Sequence, residues 1–149
     1  MKVSDHMSRD LVQVSPDDSV EAAVQLLRRR GIRHLLVIKK DRLVGILSDR
    51  DLKRALDRGR AKKKLLGIGG LFFLLEPILV SEVMTPDPVT IQPGASVQEA
   101  ASVMVERRFG ALPVVRDGTL VGIITETDLL RYFAKSSAGR PSKGKGARR

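Results

Sequence analysis

Along this chain the spacing of apolar and polar positions changes in a fixed order, and the order occurs twice. Val12-Gln13-Val14 alternates as a short strand does. Val20, Ala23, Val24 and Leu27 then fall at i, i+3, i+4 and i+7, the apolar stripe of an amphipathic helix. Residues 35–38 and 43–47 are nearly all apolar and rich in β-branched side chains, as strands covered on both faces are. Leu52, Ala55 and Leu56 begin a closing helix. The second pass runs through Val89-Thr90-Ile91, then Val97, Ala100, Ala101 and Met104, then 112–115 and 120–124, and ends on Leu129, Tyr132 and Phe133. The pattern predicts β-α-β-β-α, twice.

Punctuation supports these elements. Asp18 followed by Glu21 marks the start of the first helix, and Ser96 followed by Glu99 marks the second, one residue later in register. Asp117-Gly118 is a tight-hairpin signal, because glycine accepts the positive φ such a turn needs; Lys40-Asp41 does the same job less well.

Sliding the chain by 77 positions lays residues 3–52 on 80–129 without a gap, with roughly eighteen identities, among them Val3/Val80, Met7/Met84, Pro16/Pro93, Ser19/Ser96, Gly45/Gly122 and Asp51/Asp128. This is a tandem duplication. It predicts an α/β (α+β) fold of two β-α-β-β-α repeats, packed sheet to sheet with pseudo-twofold symmetry because half a chain of this size is marginal alone. The expected divisions are repeat 1 at 1–57, an apolar connector at 58–79, repeat 2 at 80–135 and a basic disordered tail at 136–149. Within the connector, 65–75 is an apolar run of about eleven residues, short of the ~20 a membrane span needs. We expect it to pack across the repeats or onto a dimer partner rather than to anchor the chain at a membrane surface.

The candidate chemistry sits where the duplicated Gly-containing strand feeds a helix. The residues are Ser48 and Asp51 in repeat 1, and Thr125 and Asp128 in repeat 2. A helix N-terminus exposes unpaired N–H groups and the positive end of its dipole, which suits a phosphate or a ribose. Ser-x-x-Asp opening a helix is also a capping box, a structural device, and the residues alone leave both readings open.

Composition narrows the function. The 149 residues are 42% hydrophobic, ordinary for a compact soluble domain, and contain no cysteine. Disulfides and thiolate metal sites are therefore excluded, and with no visible secretory signal the expectation is a cytoplasmic protein. No nucleophile–base–acid set is present: the histidines are His6 and His34, and the pairs Asp49/Asp51 and Glu126/Asp128, two apart, do not face each other on a helix. We expect neither an enzyme nor a metal site. The formal charge of +10 includes Lys135, Arg140, Lys143, Lys145, Arg148 and Arg149 near the C-terminus, with further clusters at Arg28-Arg29-Arg30 and Lys62-Lys63-Lys64. A solvated basic tail accounts for it; nucleic-acid association through that tail is the alternative. A single tyrosine and no tryptophan argue against a base-stacking platform.

Met-Thr-x5-Ile-x-Pro at 84–93, Glu99-Ala100, Leu112-Pro113-Val114-Val115 and Gly122-Ile123-Ile124-Thr125-x-x-Asp128 together resemble the cystathionine-β-synthase (CBS) domain. Repeat 1 resembles it equally well, with Ile32-Arg33-His34-Leu35 among the matching positions. The chain looks like a stand-alone CBS pair, or Bateman module, similar to small bacterial proteins related to acetoin-utilisation regulators. The resemblance implies adenosine ligands (AMP, ADP, ATP, S-adenosylmethionine) in clefts between the repeats and none as an obligatory cofactor. It also implies pairing of modules into a flat homodimer and an unknown protein partner that reads the ligand state. In the family the aspartate holds ribose hydroxyls, the Ser/Thr lies near ribose or phosphate, and a basic residue at the Arg33–His34 position reaches phosphate. The corresponding residues of repeat 2 are Gly110 and Ala111, so the two clefts should be unequal. Thr125 and Asp128 with Arg33 and His34 should favour a phosphorylated ligand; the cleft at Ser48 and Asp51 should stay empty or take a less charged adenosine. A module that has kept the fold and lost its ligand is the structural alternative.

Overall fold

The computed structural model describes residues 1–57 and 77–138. The expectations for the apolar run 65–75 and for the tail beyond 138 lie outside the described residues. The elements are a 3₁₀ turn (Val3–Asp5), β1 (Gln13–Val14), α1 (Val20–Arg30), β2 (His34–Lys39), β3 (Arg42–Ser48), α2 (Asp49–Asp57), α3 (Val80–Val83), β4 (Thr85–Pro86), α4 (Val97–Arg107), β5 (Ala111–Arg116), β6 (Thr119–Thr125) and α5 (Glu126–Ala138). This is a mixed α/β fold, with five α-helices and two sheets among the described residues. The closing helix α5 reaches three residues into the stretch expected as tail.

Two details correct the sequence reading. α1 is capped by Ser19, not Asp18: the Ser19 hydroxyl accepts from the Ala22 N–H at 3.1 Å. The Asp18 carboxylate is engaged one turn earlier, accepting from the Ser15 N–H at 2.8 Å. The cap registers of the two repeats therefore agree, since Ser96 accepts from the Glu99 N–H at 3.0 Å. The predicted strand at 89–91 is reduced to one parallel bridge, Ile91 to Val114.

The chain divides into two compact units, an N-unit of residues Asp10–Val89 and a C-unit of Met1–Arg9 with Thr90–Arg149. In the N-unit the sheet runs β1-β2-β3-β4, with β1 parallel to β2 and the other pairs antiparallel. In the C-unit β5 pairs antiparallel with β6, and the outer strands are replaced by single bridges at Ile91–Val114 and Ser8–Ile123. The register slips at the same place in both hairpins, between Val37 and Ile38 and between Val114 and Val115. Both hairpin turns hold two residues at positive φ, as a type I′ turn requires: Lys40 (49°) and Asp41 (64°), Asp117 (48°) and Gly118 (79°).

The units are not the sequence repeats, because each repeat gives its leading segment to the other. In the C-unit Val3 and Ser4 donate to the carbonyls of Ala95 and Pro93 (2.8 and 3.0 Å), and Val97 donates to Met1 (3.0 Å). In the N-unit Val80 and Ser81 donate to Asp18 and Pro16 (2.8 and 3.0 Å), and Val20 donates to Ile78 (2.7 Å). These are the same three bonds shifted by 77 residues. Val80 consequently joins the N-unit core of Val14, Ala23, Leu27, Leu35, Val37 and Leu47. The repeat mates Val3, Ile91, Ala100, Met104, Leu112, Val114 and Ile124 are all buried. Each Val, Leu, Ile or Met among them contributes about 1.5–3 kcal/mol by leaving water.

The exchanged segments explain the glycine in each long strand. A Cβ on Gly45 would lie 2.6 Å from the Met84 sulfur and 3.0 Å from the Thr85 carbonyl oxygen. One on Gly122 would meet Met7 at 2.6 Å and the Ser8 carbonyl at 2.9 Å. The passing backbone is bridged to the strand and cannot withdraw, so no side chain fits.

Candidate functional site

Both Ser/Thr–Asp pairs close into capping boxes. In the N-unit Ser48 ends β3, and its N–H donates to Asp51 Oδ2 at 2.9 Å while the Asp51 N–H donates to Ser48 Oγ at 3.0 Å. In the C-unit Thr125 ends β6, and Asp128 Oδ2 accepts from its N–H (2.8 Å) and its hydroxyl (3.0 Å); the Asp128 N–H donates to Thr125 Oγ1 at 3.3 Å. The structural reading of these residues is thus realised at both sites. It does not exhaust the carboxylates, each of which offers about four acceptor positions.

Asp51 is the one buried polar or charged residue among the described residues, 6% exposed. Burying a carboxylate demands compensation. Besides Ser48, Asp51 Oδ1 accepts from the Thr85 hydroxyl at 2.9 Å and lies 3.6 Å from Arg54 Nη1. Asp128, 13% exposed at its side chain, has Arg131 Nη1 3.5 Å from its Oδ1.

Beside Asp51 the N-unit holds a cavity of about 240 Å³, lined by Asp51, Arg54 and Ala55 of α2 and by residues 82–86. Glu82, Met84 and Thr85 were not singled out from the sequence as site residues. Their signal was present, since Met84-Thr85 opens the repeat-2 motif, but their place beside Asp51 follows from the segment exchange. Glu82 accepts from the Leu79 N–H at 2.8 Å at the start of α3.

Arg33 and His34 lie in the same unit as Ser48 and Asp51. His34 pairs with Ser48 across β2 and β3, and the Arg33 carbonyl accepts from the Asp49 N–H at 3.2 Å. Arg33 is exposed and neither residue lines the cavity. Thr125 and Asp128 belong to the C-unit, where the Gly110 carbonyl accepts from the Glu126 N–H at 2.9 Å. Among the described residues no three His, Cys, Asp or Glu side chains are grouped to hold a metal, and no helix is long and apolar enough to cross a membrane.

A doubled strand-to-helix site on a β-α-β-β-α repeat defines the class, and comparison with known proteins gives the family. The chain belongs to the CBS-domain family, whose description matches residues 3–58 and 80–135. Among solved structures, the CBS domain pair of protein MJ0100 in complex with 5′-methylthioadenosine and S-adenosylmethionine is similar at a TM-score of 0.75 and 25% identity, over 91% of this chain and 98% of that one. CBSX2 in complex with AMP matches at a TM-score of 0.71 and 33% identity, over 91% and 98%. A Vibrio cholerae protein assigned to acetoin utilization, AcuB, matches at 0.74 and 29%, over 93% and 95%. The chain spans 25% and 47% of the first curated relatives it resembles, at 36% and 32% identity.

Proposed function

We propose that this chain is a non-catalytic regulatory module that binds an adenosine ligand at its duplicated Ser/Thr–Asp sites and signals by a change of conformation. The observation that carries the proposal is the buried Asp51 bordering an open cavity, fixed by protein donors yet with acceptor capacity remaining. Asp51 and Asp128 take the ribose hydroxyls, Ser48 and Thr125 stand beside them, and Arg33 and His34 offer donors to phosphate. Ligand complexes of similar proteins, with AMP in one and with adenosyl thioethers and sulfonium in another, support the ligand class. Signalling requires the ligand to prefer one conformation over another, and a partner protein to read the difference.

One observation favours a second reading. Both capping boxes are complete without a ligand, so a purely structural module has the same geometry. Calorimetric titration of AMP into the wild type and Asp128→Ala separates the two. A charge-assisted hydrogen bond is worth about 1.5–3 kcal/mol, so the variant should bind at least about tenfold more weakly while still folded. Unchanged affinity removes Asp128 from the site, and a wild type that binds neither AMP nor any other adenosine ligand leaves the structural reading.

The proposal includes a homodimer through α4 and α5. Val105, Leu130 and Phe133 on these helices are each at least 67% exposed. The repeat mates of Val105 and Leu130 on α1 and α2 are Arg28 and Lys53. The exposed charges of α4 and α5 balance, Glu99, Glu106 and Glu126 against Arg107, Arg131 and Lys135. Such a face is suited to its own copy across a twofold axis.

A further inference from the structure

We propose that the Tyr132 ring, seated against His6, is a plug in the Thr125–Asp128 site of the C-unit, and that an adenosine ligand fills this site only by displacing it. This rests on the reading of the chain as an adenosine sensor and names what controls one of its sites. The backbone that frames the N-unit cavity recurs in the C-unit at a shift of 77 residues. The capping box recurs, and so does the approach of the leading segment to the strand glycine, Met84 on Gly45 and Met7 on Gly122. Of the cavity lining, Asp51, Arg54 and Met84 keep their identity as Asp128, Arg131 and Met7. Two other lining positions gain rings: Ala55 corresponds to Tyr132, and Val83 to His6.

The two rings meet. Their centroids lie 4.7 Å apart with the planes at 61°, the edge-to-face arrangement that aromatic rings favour. Tyr132 follows Asp128 by one helical turn and shares its face of α5, as Ala55 shares that of Asp51 on α2. The Asp128 carboxylate remains 13% exposed; the space beside it, open in the N-unit, is where the rings stand. A ribose can reach Asp128, but the rest of a nucleoside needs the room that Tyr132 takes. The contact is not locked. His6 Nε2 is buried and meets no hydrogen-bond partner among the described residues, an unfavourable burial that the valine at the corresponding N-unit position avoids. Ring packing holds the plug, with no hydrogen bond through that nitrogen to oppose its release. A ligand that must first displace the plug binds more weakly by the fraction of molecules in which the site is open.

Tyr132 is the one tyrosine of a chain without tryptophan, so its fluorescence reports this contact alone. The test is titration of the full chain with AMP and with 5′-methylthioadenosine, followed both by calorimetry and by tyrosine emission. Binding that Asp128→Ala removes should change the emission, and the change should persist in Asp51→Ala. Tyr132→Ala, which supplies the residue found at position 55, should strengthen the Asp128-dependent binding at least about fivefold, or create it where the wild type shows none. It should leave the Asp51-dependent component unchanged. Tyr132→Leu takes its place should the alanine variant fail to fold. Asp128-dependent heat with silent emission, or an Asp128-dependent affinity that loss of the ring neither raises nor creates, overturns the plug while the sensor reading stands. If neither wild type nor variant binds these or any other adenosine ligand, both readings fall.

Discussion

Asp51 and Asp128 each hold a helix start together, and that duty is compatible with binding a sugar. The carboxylate already fixed by the Ser48 or Thr125 N–H needs no reorganisation to accept a ribose hydroxyl. Caps elsewhere have only the structural duty. Ser19→Ala should lower stability by about 1 kcal/mol in chemical denaturation, and Asp18→Ala by less, because the Ser19 hydroxyl alone meets the α1 backbone at Ala22. Equal losses would contradict the cap assignment. At this scale the sequence showed the Ser/Thr–Asp pairs, whose members lie three residues apart and must meet. It did not show Thr85 against Asp51, because those residues are 34 apart and meet only after the chain has folded back.

At the scale of elements, hydropathy periods located both hairpins and all the longer helices, since each is set by neighbours close in sequence. The exchange of leading segments was not legible, and the duplication is the reason. Val3-Ser4 and Val80-Ser81 are identical, so either segment fits either groove as far as residue type goes. The close approach of Met7 and Ser8 to Gly122 makes that glycine indispensable. Gly122→Ala should destabilise by about 1–3 kcal/mol, as overpacking does, because the Ser8 carbonyl lies 2.9 Å from the added carbon. A neutral effect would mean that the N-terminal segment does not sit on β6. In the other direction, Asp41→Gly should stabilise by about 1 kcal/mol, since Asp41 holds φ at 64° where its repeat mate is Gly118. A loss of stability in thermal melts would contradict the I′ turn.

For the molecule as a whole, charge and apolar exposure are unevenly placed. Residues 58–76 and 139–149 together hold ten Lys or Arg and one acidic residue, which is nine of the ten net charges. Any nucleic-acid association should therefore fall steeply with salt and weaken on removal of 139–149, in a filter-binding assay; binding unchanged by that removal would exclude the C-terminal segment as its seat. The exposed face of α4 and α5 makes self-association testable in the same way. Leu130→Glu with Phe133→Glu should shift sedimentation from dimer to monomer, and a wild type that is monomeric at high concentration would contradict the twofold pairing. The central claim is that the doubled strand-to-helix site holds an adenosine. The most direct measurement is thermal unfolding of the full chain with AMP, ADP, ATP, 5′-methylthioadenosine and S-adenosylmethionine. A ligand at one hundred times its Kd should add about 2.7 kcal/mol, a rise of roughly 5–10 °C for a chain of this length, lost when Asp51 and Asp128 are both replaced by alanine. An unfolding temperature that none of the five ligands moves would contradict the account.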